Sequence, residues 1–439
     1  MRFRPEILAW RCPWAPTALL AGFLAAPALA QSDLPAPPPE PERPPISRPL
    51  DAAAAARGVT VLTRPRPLFD PPGLRLGAFR LDTSAELGLG FDDNLLGAQR
   101  NRRSSAFSEV GLRGVLRSQW SRHELRFEAG LTDRRFFSSR QLDWRDWLVD
   151  AYGRLDVAEG SSLDARVTRQ RGNFAVQSLD VAQFGLQRPV VFDEDRFRLG
   201  GRTRFNRVEL DGFGQYRQVR FRADGTQAPD FATDYNAWGG GVGVAYRFSP
   251  GRALRFDLTA EETATRGRGL TSLDARTWEA LVGAVYDFDG VYQFAIGIGY
   301  ARREFREPGR RAIAGLGVDR RLTYAPSLLT TVNLRVRRGV DDSVRALGPG
   351  FLRSLATVRV DREFRQNVIG SVELGYDLRE YRNPSQRAAD VLATVSMQWL
   401  LNRRASVSAS YRHVTRLTSS PGLQEYAQNE FLIRLRLAN

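Results

Sequence analysis

Arginine side chains are the most abundant groups in this 439-residue sequence that could do chemistry. All 64 basic residues are arginine, against 49 aspartate and glutamate residues, and the formal net charge is +15. A guanidinium group stays charged and pairs with carboxylate or phosphate in bidentate geometry. A channel or surface built from these residues is therefore expected to attract polyanions or lipid phosphates.

Residue types that support catalysis or metal binding are scarce. The only cysteine is Cys12, and the two histidines, His123 and His413, are far apart in the sequence. Asp92 and Asp93 are adjacent acids, but calcium takes six or more oxygen ligands. We therefore predict no enzymatic activity, no catalytic residue, no cofactor and no metal site.

His413 is the nearest approach to a catalytic base. Alternation places it on the outward face of its segment, where an outer-membrane lipase would keep a histidine. A histidine base needs a partnered hydroxyl and an orienting group. The neighbouring serines Ser408 and Ser410 have the opposite parity, so the sequence does not predict a catalytic site here.

The elements that must position the arginines are short segments in which apolar and polar residues alternate. The first runs through Phe79, Leu81, Thr83, Ala85, Leu87, Leu89 and Phe91. A sheet with one face in hydrocarbon needs an apolar residue at every second position. We therefore predict an all-β fold, a transmembrane antiparallel β-barrel of the outer-membrane type. It covers residues 77–439 and has about 18 strands, with 16 as the alternative.

The connections alternate between short and long, as they do in barrels with short periplasmic turns and longer outer loops. The longest predicted loop covers residues 172–193. The predicted short turns lie near 118–122, 158–161, 206–207, 249–252, 289–290, 323–327, 362–366 and 401–404. This pattern predicts the outer membrane of a Gram-negative bacterium, with both ends of the barrel chain in the periplasm.

The first 76 residues are expected to lie outside the barrel. Residues 1–30 combine arginines, an apolar run and an Ala-Leu-Ala site, which is typical of a secretory signal peptide. Residues 31–76 are rich in proline and predict an extended periplasmic linker. The linker is either a passive spacer or a docking segment for periplasmic export components.

Three short motifs resemble one family of barrels. Gly90-Phe91-Asp92-Asp93-Asn94, Trp120-Ser121-Arg122-His123 and Leu401-Asn402-Arg403 with Tyr411 resemble elements of the putative β-barrel porin 2 family. The resemblance implies an outer-membrane barrel associated with export of surface or extracellular polysaccharide.

Parity assigns many arginines to the lumen, together with many acids. The arginines predicted to contact a polyanion there are Arg196, Arg198, Arg202, Arg204, Arg217, Arg335 and Arg337. The four in the segment 196–204 form the densest basic cluster and are the candidate selectivity element. The inward acids leave an alternative, in which the charges form structural ion-pair ladders.

Three functions remain open at this point. The first is export of a polysaccharide, expected to be acidic, through a wide lumen. The second is a passive anion-preferring porin, which predicts a long loop folded inward, and the third is a closed-barrel scaffold or adhesin. The expected partners are outer-membrane lipids and lipopolysaccharide, the polysaccharide itself and periplasmic export components, with no nucleic acid.

Overall fold

The computed structural model describes residues 59–222, 234–266, 274–288, 290–343, 350–382, 385–418, 420 and 422–439. The predicted signal peptide and the linker up to residue 58 lie outside these ranges. Asp289, half of a predicted hairpin turn, lies outside them too. No helix within the described ranges is long and apolar enough to cross a membrane.

Strands account for most of the described chain. They are β1 (Leu74–Leu76), β2 (Phe79–Asp92), β3 (Ser105–Ser118), β4 (Glu124–Phe136), β5 (Trp144–Ala158), β6 (Ser161–Phe174), β7 (Val190–Phe205), β8 (Val208–Arg222), β9 (Asp234–Ser249), β10 (Arg252–Arg266), β11 (Ala275–Phe288), β12 (Tyr292–Phe305), β13 (Ile313–Ser327), β14 (Thr330–Asp342), β15 (Gly350–Arg365), β16 (Val368–Arg382), β17 (Ser385–Leu400), β18 (Ala405–Thr418) and β19 (Tyr426–Ala438). The described part of the chain also contains two 3₁₀ turns, at Arg140–Leu142 and Ala182–Phe184.

The eighteen strands β2 to β19 form a closed antiparallel barrel. Each pairs with the next along the chain, and β19 pairs back onto β2, with Phe431 opposite Phe91. Closure leaves no sheet edge exposed to lipid. The prediction of an all-β barrel with about 18 strands is confirmed.

The alternation in the sequence becomes two different faces of the wall. Leu87 and Leu89 of β2 are 57% and 65% exposed on the outward face, whereas Gly88 between them is buried. Apolar residues on the outside are expected for a barrel whose solvent is lipid. The opposite face of β2 carries the charged residues Arg80, Asp82 and Glu86.

Short turns collect at one end of the barrel, which we call the periplasmic end. Gly160, Gly251 and Asn206 take positive φ there, a conformation that glycine and asparagine adopt more easily than other residues. The turn predicted at 323–327 is shifted, because β13 continues to Ser327 and the chain reverses at Leu328-Leu329. The loop predicted at 172–193 is shorter, since β6 and β7 keep pairing as far as Phe174 and Val190.

Candidate functional site: the charged lumen and its crossing loop

The loop at residues 175–189 crosses the extracellular end of the lumen. It leaves β6, and its Asp180 contacts Arg379 and Tyr381 of β16. Nine strands, β7 to β15, separate β6 from β16 on one side, and seven, β17 to β19 with β2 to β5, separate them on the other. Asp180 therefore reaches the opposite wall of the barrel.

The side chain of Asp180 is completely buried and accepts three hydrogen bonds. The donors are Arg379 Nη1 at 2.7 Å, Tyr381 Oη at 3.0 Å and Ser343 Oγ at 3.0 Å. Burial of a carboxylate is costly unless it is paired and hydrogen-bonded, and these three donors meet that requirement.

Apolar residues of the same loop pack on three parts of the wall. Leu179 packs with Ala388 and Leu423, near β17 and the β18–β19 connection. Val181 belongs to a cluster formed mostly by β6 to β9, and Val176 belongs to a cluster on β2 to β5 and β19. The loop is thus held from several directions, which makes it a constriction rather than a surface excursion.

A second contact bridges the lumen through Arg217 of β8. Its Nη2 lies 3.0 Å from Glu261 Oε1 of β10 and 2.5 Å from Asp342 Oδ2 at the end of β14. Asp342 Oδ1 also pairs with Arg303 Nη1 of β12 at 2.5 Å. Side chains from four alternate strands meet in this network, so the lumen is narrow at this level.

Elsewhere the inward face carries ion pairs between adjacent strands and between strands one apart. Glu109 of β3 pairs with Arg134 of β4 at 2.7 Å and with Arg434 of β19 at 2.9 Å. Asp377 of β16 pairs with Arg353 of β15 at 2.8 Å. Breaking one partner of such a buried pair leaves an uncompensated charge, so each pair helps to fix the wall.

The arginines predicted from the sequence to contact a polyanion all lie on the inward face. Several of them already form ion pairs with acidic side chains of the wall. Arg196 pairs with Glu194 at 2.8 Å, Arg202 with Glu209 at 2.7 Å, and Arg337 with Asp341 at 2.7 Å, and Arg217 joins the network above. Arg198 lies over the ring of Phe213 at 3.9 Å, Arg204 packs at Gly160, and Arg335 faces Arg321. The segment 196–204 is therefore part of a mixed-charge lattice rather than a bare basic stripe.

A cavity of about 530 Å³ opens beside the crossing loop on the inner side of β18, β19 and β2 to β7. The loop contributes Val176 and Gln177, and the wall contributes side chains of both charge signs. The charged lining residues are Glu86, Asp92, Glu109, Arg113, Glu128, Arg134, Asp146, Arg171, Arg412, Glu430, Arg434 and Arg436. A pocket of this volume suits a small organic solute.

At the periplasmic end, residues 59–73 follow the inner rim. Glu363 of β15 accepts from Arg66 Nη2 at 2.6 Å and from Arg64 Nη1 at 3.2 Å. Val61 is buried, and its backbone N–H donates to Thr331 Oγ1 at 2.9 Å. Further along, the Pro71 carbonyl accepts from Arg80 on β2. This rim segment joins the wall to the proline-rich part of the chain.

His123 supports a periplasmic turn. It takes φ of +67°, its backbone N–H donates to Asp156 Oδ2 at 2.8 Å, and its Nδ1 accepts from the Asp156 N–H at 3.1 Å. Within the described ranges, no group of three or more His, Cys, Asp and Glu side chains is arranged to hold a metal ion.

A family model described as "Putative beta-barrel porin 2" matches residues 66–439. The chain belongs to this family. The resemblance expected from the short motifs is confirmed, and membership points to the outer membrane of a Gram-negative bacterium. A search of curated proteins finds no match.

Several solved barrels are similar to the chain at low identity. OccK1 (OpdK) of Pseudomonas aeruginosa is 13% identical with a TM-score of 0.44, over 82% of this chain and 99% of that one. A mutant ferric enterobactin receptor, PfeA, of the same organism is 6% identical with a TM-score of 0.42, over 81% and 80%. The FrpB iron transporter of Neisseria meningitidis is 7% identical with a TM-score of 0.45, over 77% and 62%.

Proposed function

We propose that this porin-family barrel is a gated passage for anionic solutes, with acidic saccharides as the favoured class. The observation that carries the proposal is the position of Asp180, which attaches the loop at 175–189 to the opposite wall. Of the three functions that the sequence leaves open, this loop favours a constricted passage over the wide polysaccharide exporter.

The loop can be released without disrupting the barrel, because it takes no part in the pairing of the barrel strands. Releasing it would break side-chain contacts of Asp180, Leu179 and Val181 but no strand ladder. The cavity of about 530 Å³ beside it has room for a small saccharide. A sugar carboxylate would compete with the carboxylates of the wall for its arginines, which bind carboxylates in bidentate geometry. The net charge of +15 attracts anions to the entrance.

Export of an acidic polysaccharide, with help from periplasmic components, is the second candidate. The rim segment at 59–73 favours it, because this segment follows the proline-rich part of the linker directly in the sequence. A protein that binds the linker could therefore break the contact between Arg66 and Glu363. In that case the passage would open only when the partner is engaged.

Single-channel recording in a planar bilayer tests the proposal. We expect the wild-type barrel to be closed most of the time and Asp180→Asn to raise its open probability at least tenfold, with anion selectivity. An acidic oligosaccharide should block the open channel, and a neutral one of equal length should not. Asp133→Asn is the matched control, because Asp133 pairs with the exposed Arg135 and Arg145 away from the lumen.

Two results would reject the passage. One is absence of conductance in both the wild type and Asp180→Asn, which would favour a scaffold or a channel that needs its partner. The other is a large, constant current in the wild type that no oligosaccharide affects, which would indicate an open, unselective pore.

A further inference from the structure

A polar cluster interrupts the apolar outer surface near the extracellular end of β18 and β19. His413 and Thr415 are on the outward face of β18, and Asn429 of β19 is opposite His413 in the register. Tyr411 on the same face donates its hydroxyl to Asn429 Oδ1 at 2.7 Å. Apolar outward residues flank the cluster, with Leu417 50% and Phe431 46% exposed. Polar groups on a lipid-facing surface are unfavourable, so this cluster requires an explanation.

Asp93, at the end of β2, fixes the orientation of the cluster. Its carboxylate accepts from Asn429 Nδ2 at 2.6 Å and from the Asn429 backbone N–H at 2.7 Å. An ionised carboxylate only accepts hydrogen bonds, so the amide NH₂ of Asn429 must point toward Asp93. The amide oxygen of Asn429 is therefore turned toward His413.

The orientation of Asn429 in turn sets the tautomer of His413. Asn429 Oδ1 lies 2.8 Å from His413 Nδ1, and an amide oxygen can only accept, so Nδ1 carries the hydrogen. Nε2 is then the unprotonated nitrogen of the neutral ring, and it lies 2.8 Å from Thr415 Oγ1. The Thr415 hydroxyl consequently donates to a nitrogen that can take its proton.

These contacts join the three kinds of group that make up a nucleophilic triad. Such a triad needs a hydroxyl within hydrogen-bond reach of a base, and a third group that holds the base in the correct tautomer. We propose that Thr415, His413 and Asn429 form a hydrolytic site that cleaves acyl esters of phosphate-bearing lipids in the outer leaflet.

The surroundings fit a lipid ester. Ala427 lies opposite Thr415 and Ala393 lies opposite His413, so small side chains border the site on both neighbouring strands. Arg102 lies 3.8 Å from Asp93 and is partly exposed, which places a guanidinium group beside the cluster for the phosphate of the same lipid. The site faces the bilayer, where the ester is already concentrated.

The reaction balances with water as the only co-reactant. Thr415 Oγ attacks the ester carbonyl, forms a new C–O bond and passes its proton to His413 Nε2. The C–O bond to the lipid alcohol breaks, and His413 returns the proton to that alcohol. Water, deprotonated by His413, then attacks the acyl-threonine, releasing a free fatty acid and restoring the Thr415 hydroxyl.

Two readouts test the site in the full chain refolded into vesicles of phosphatidylethanolamine and phosphatidylglycerol. The first is covalent labelling by an alkyl fluorophosphonate, with the modified residue identified by mass spectrometry. The second is release of fatty acid from the vesicles. Thr83→Val is the matched control, since Thr83 is also an outward threonine but lies on β2 near the periplasmic end.

We expect label on Thr415 and measurable release of fatty acid in the wild type and in Thr83→Val. Thr415→Val should abolish both, and His413→Ala should reduce them by about 100-fold or more, the usual contribution of a general base. Thr415→Ser should keep both, which separates chemistry from folding. Heat-modifiable electrophoretic mobility checks that each variant forms a barrel.

The proposal is overturned if neither the wild type nor Thr415→Ser is labelled or releases fatty acid. It is also overturned if label appears on Thr415 but does not fall in His413→Ala. In either case the cluster serves only as a hydrogen-bonded polar ladder between β18 and β19.

Discussion

The crossing loop at the extracellular end and the rim segment at the periplasmic end both enter the barrel, but they are held very differently. In the loop, Leu179 and Asp180 are 1% and 0% exposed, and Asp180 is hydrogen-bonded by β16 and by Ser343, which follows β14. In the rim segment, Val61 and Arg66 are buried but Leu68 is 69% exposed, and the ion pairs of this segment converge on the single carboxylate of Glu363.

The difference indicates which end is easier to open. A segment with more buried contacts opens at a larger free-energy cost than a segment with fewer. The loop is also tied to a strand at each of its ends, whereas the rim segment continues into the linker. We therefore expect the periplasmic end to respond first to a partner or a protease.

Asp180→Ala should have the largest effect, because it leaves the guanidinium of Arg379 buried with one partner fewer. Removing one partner of a buried pair costs about 3–5 kcal/mol, and the lower part of that range is expected since Asp377 still pairs with Arg379. Chymotrypsin should then cut the loop at Phe184 at least tenfold faster than in the wild type. Unchanged cleavage at Phe184 would mean that Asp180 does not hold the loop.

Glu363→Gln should release the rim segment at the periplasmic end, with a smaller effect than that of Asp180→Ala. The glutamine has no charge for Arg64 and Arg66 to pair with, and hydrogen bonds to charged groups are worth about 1.5–3 kcal/mol. Chymotrypsin should cut at Phe69 faster than in the wild type, while cleavage at Phe184 stays the same. If both sites became accessible together, the two ends would be coupled and the comparison between them would fail.

The strands of the barrel wall could be predicted from the sequence because each strand is recognised from the pattern of its own residues. Residues within a strand alternate between the inward and outward faces, so the sequence of one strand is enough to assign both. Asp-Gly or Asn residues indicate the short turns. The exact strand ends could not be predicted. Phe174 and Val190 extend their strands because they pair with each other, and that depends on register rather than on either residue alone.

The contents of the lumen could be predicted only in part. Parity correctly put Arg217 inside, but its partner Asp342 lies 125 residues away and is brought near only by closure of the barrel. Asp180 was missed for the same reason, since nothing near it in the sequence identifies Arg379 as its partner. Thr415 shares the parity of His413, so the spacing of two residues already places both on one face of β18, but the hydrogen bond that His413 makes to Asn429 depends on the pairing of β18 with β19.

Breaking an exposed ion pair should have the smallest effect on the free energy of unfolding. Arg135→Gln removes a guanidinium that is half exposed and pairs with Asp133 and Asp143. Exposed pairs contribute about 0–1 kcal/mol, because water and salt screen them and the side chains lose entropy when they pair. Urea unfolding in detergent micelles, followed by tryptophan fluorescence, should therefore give a free energy of unfolding within about 1 kcal/mol of the wild type.

Cleavage at Phe184 and Phe69 should both be unchanged. A loss as large as that of Asp180→Ala would show that burial does not rank these ion pairs, and that the ends of the barrel differ for another reason.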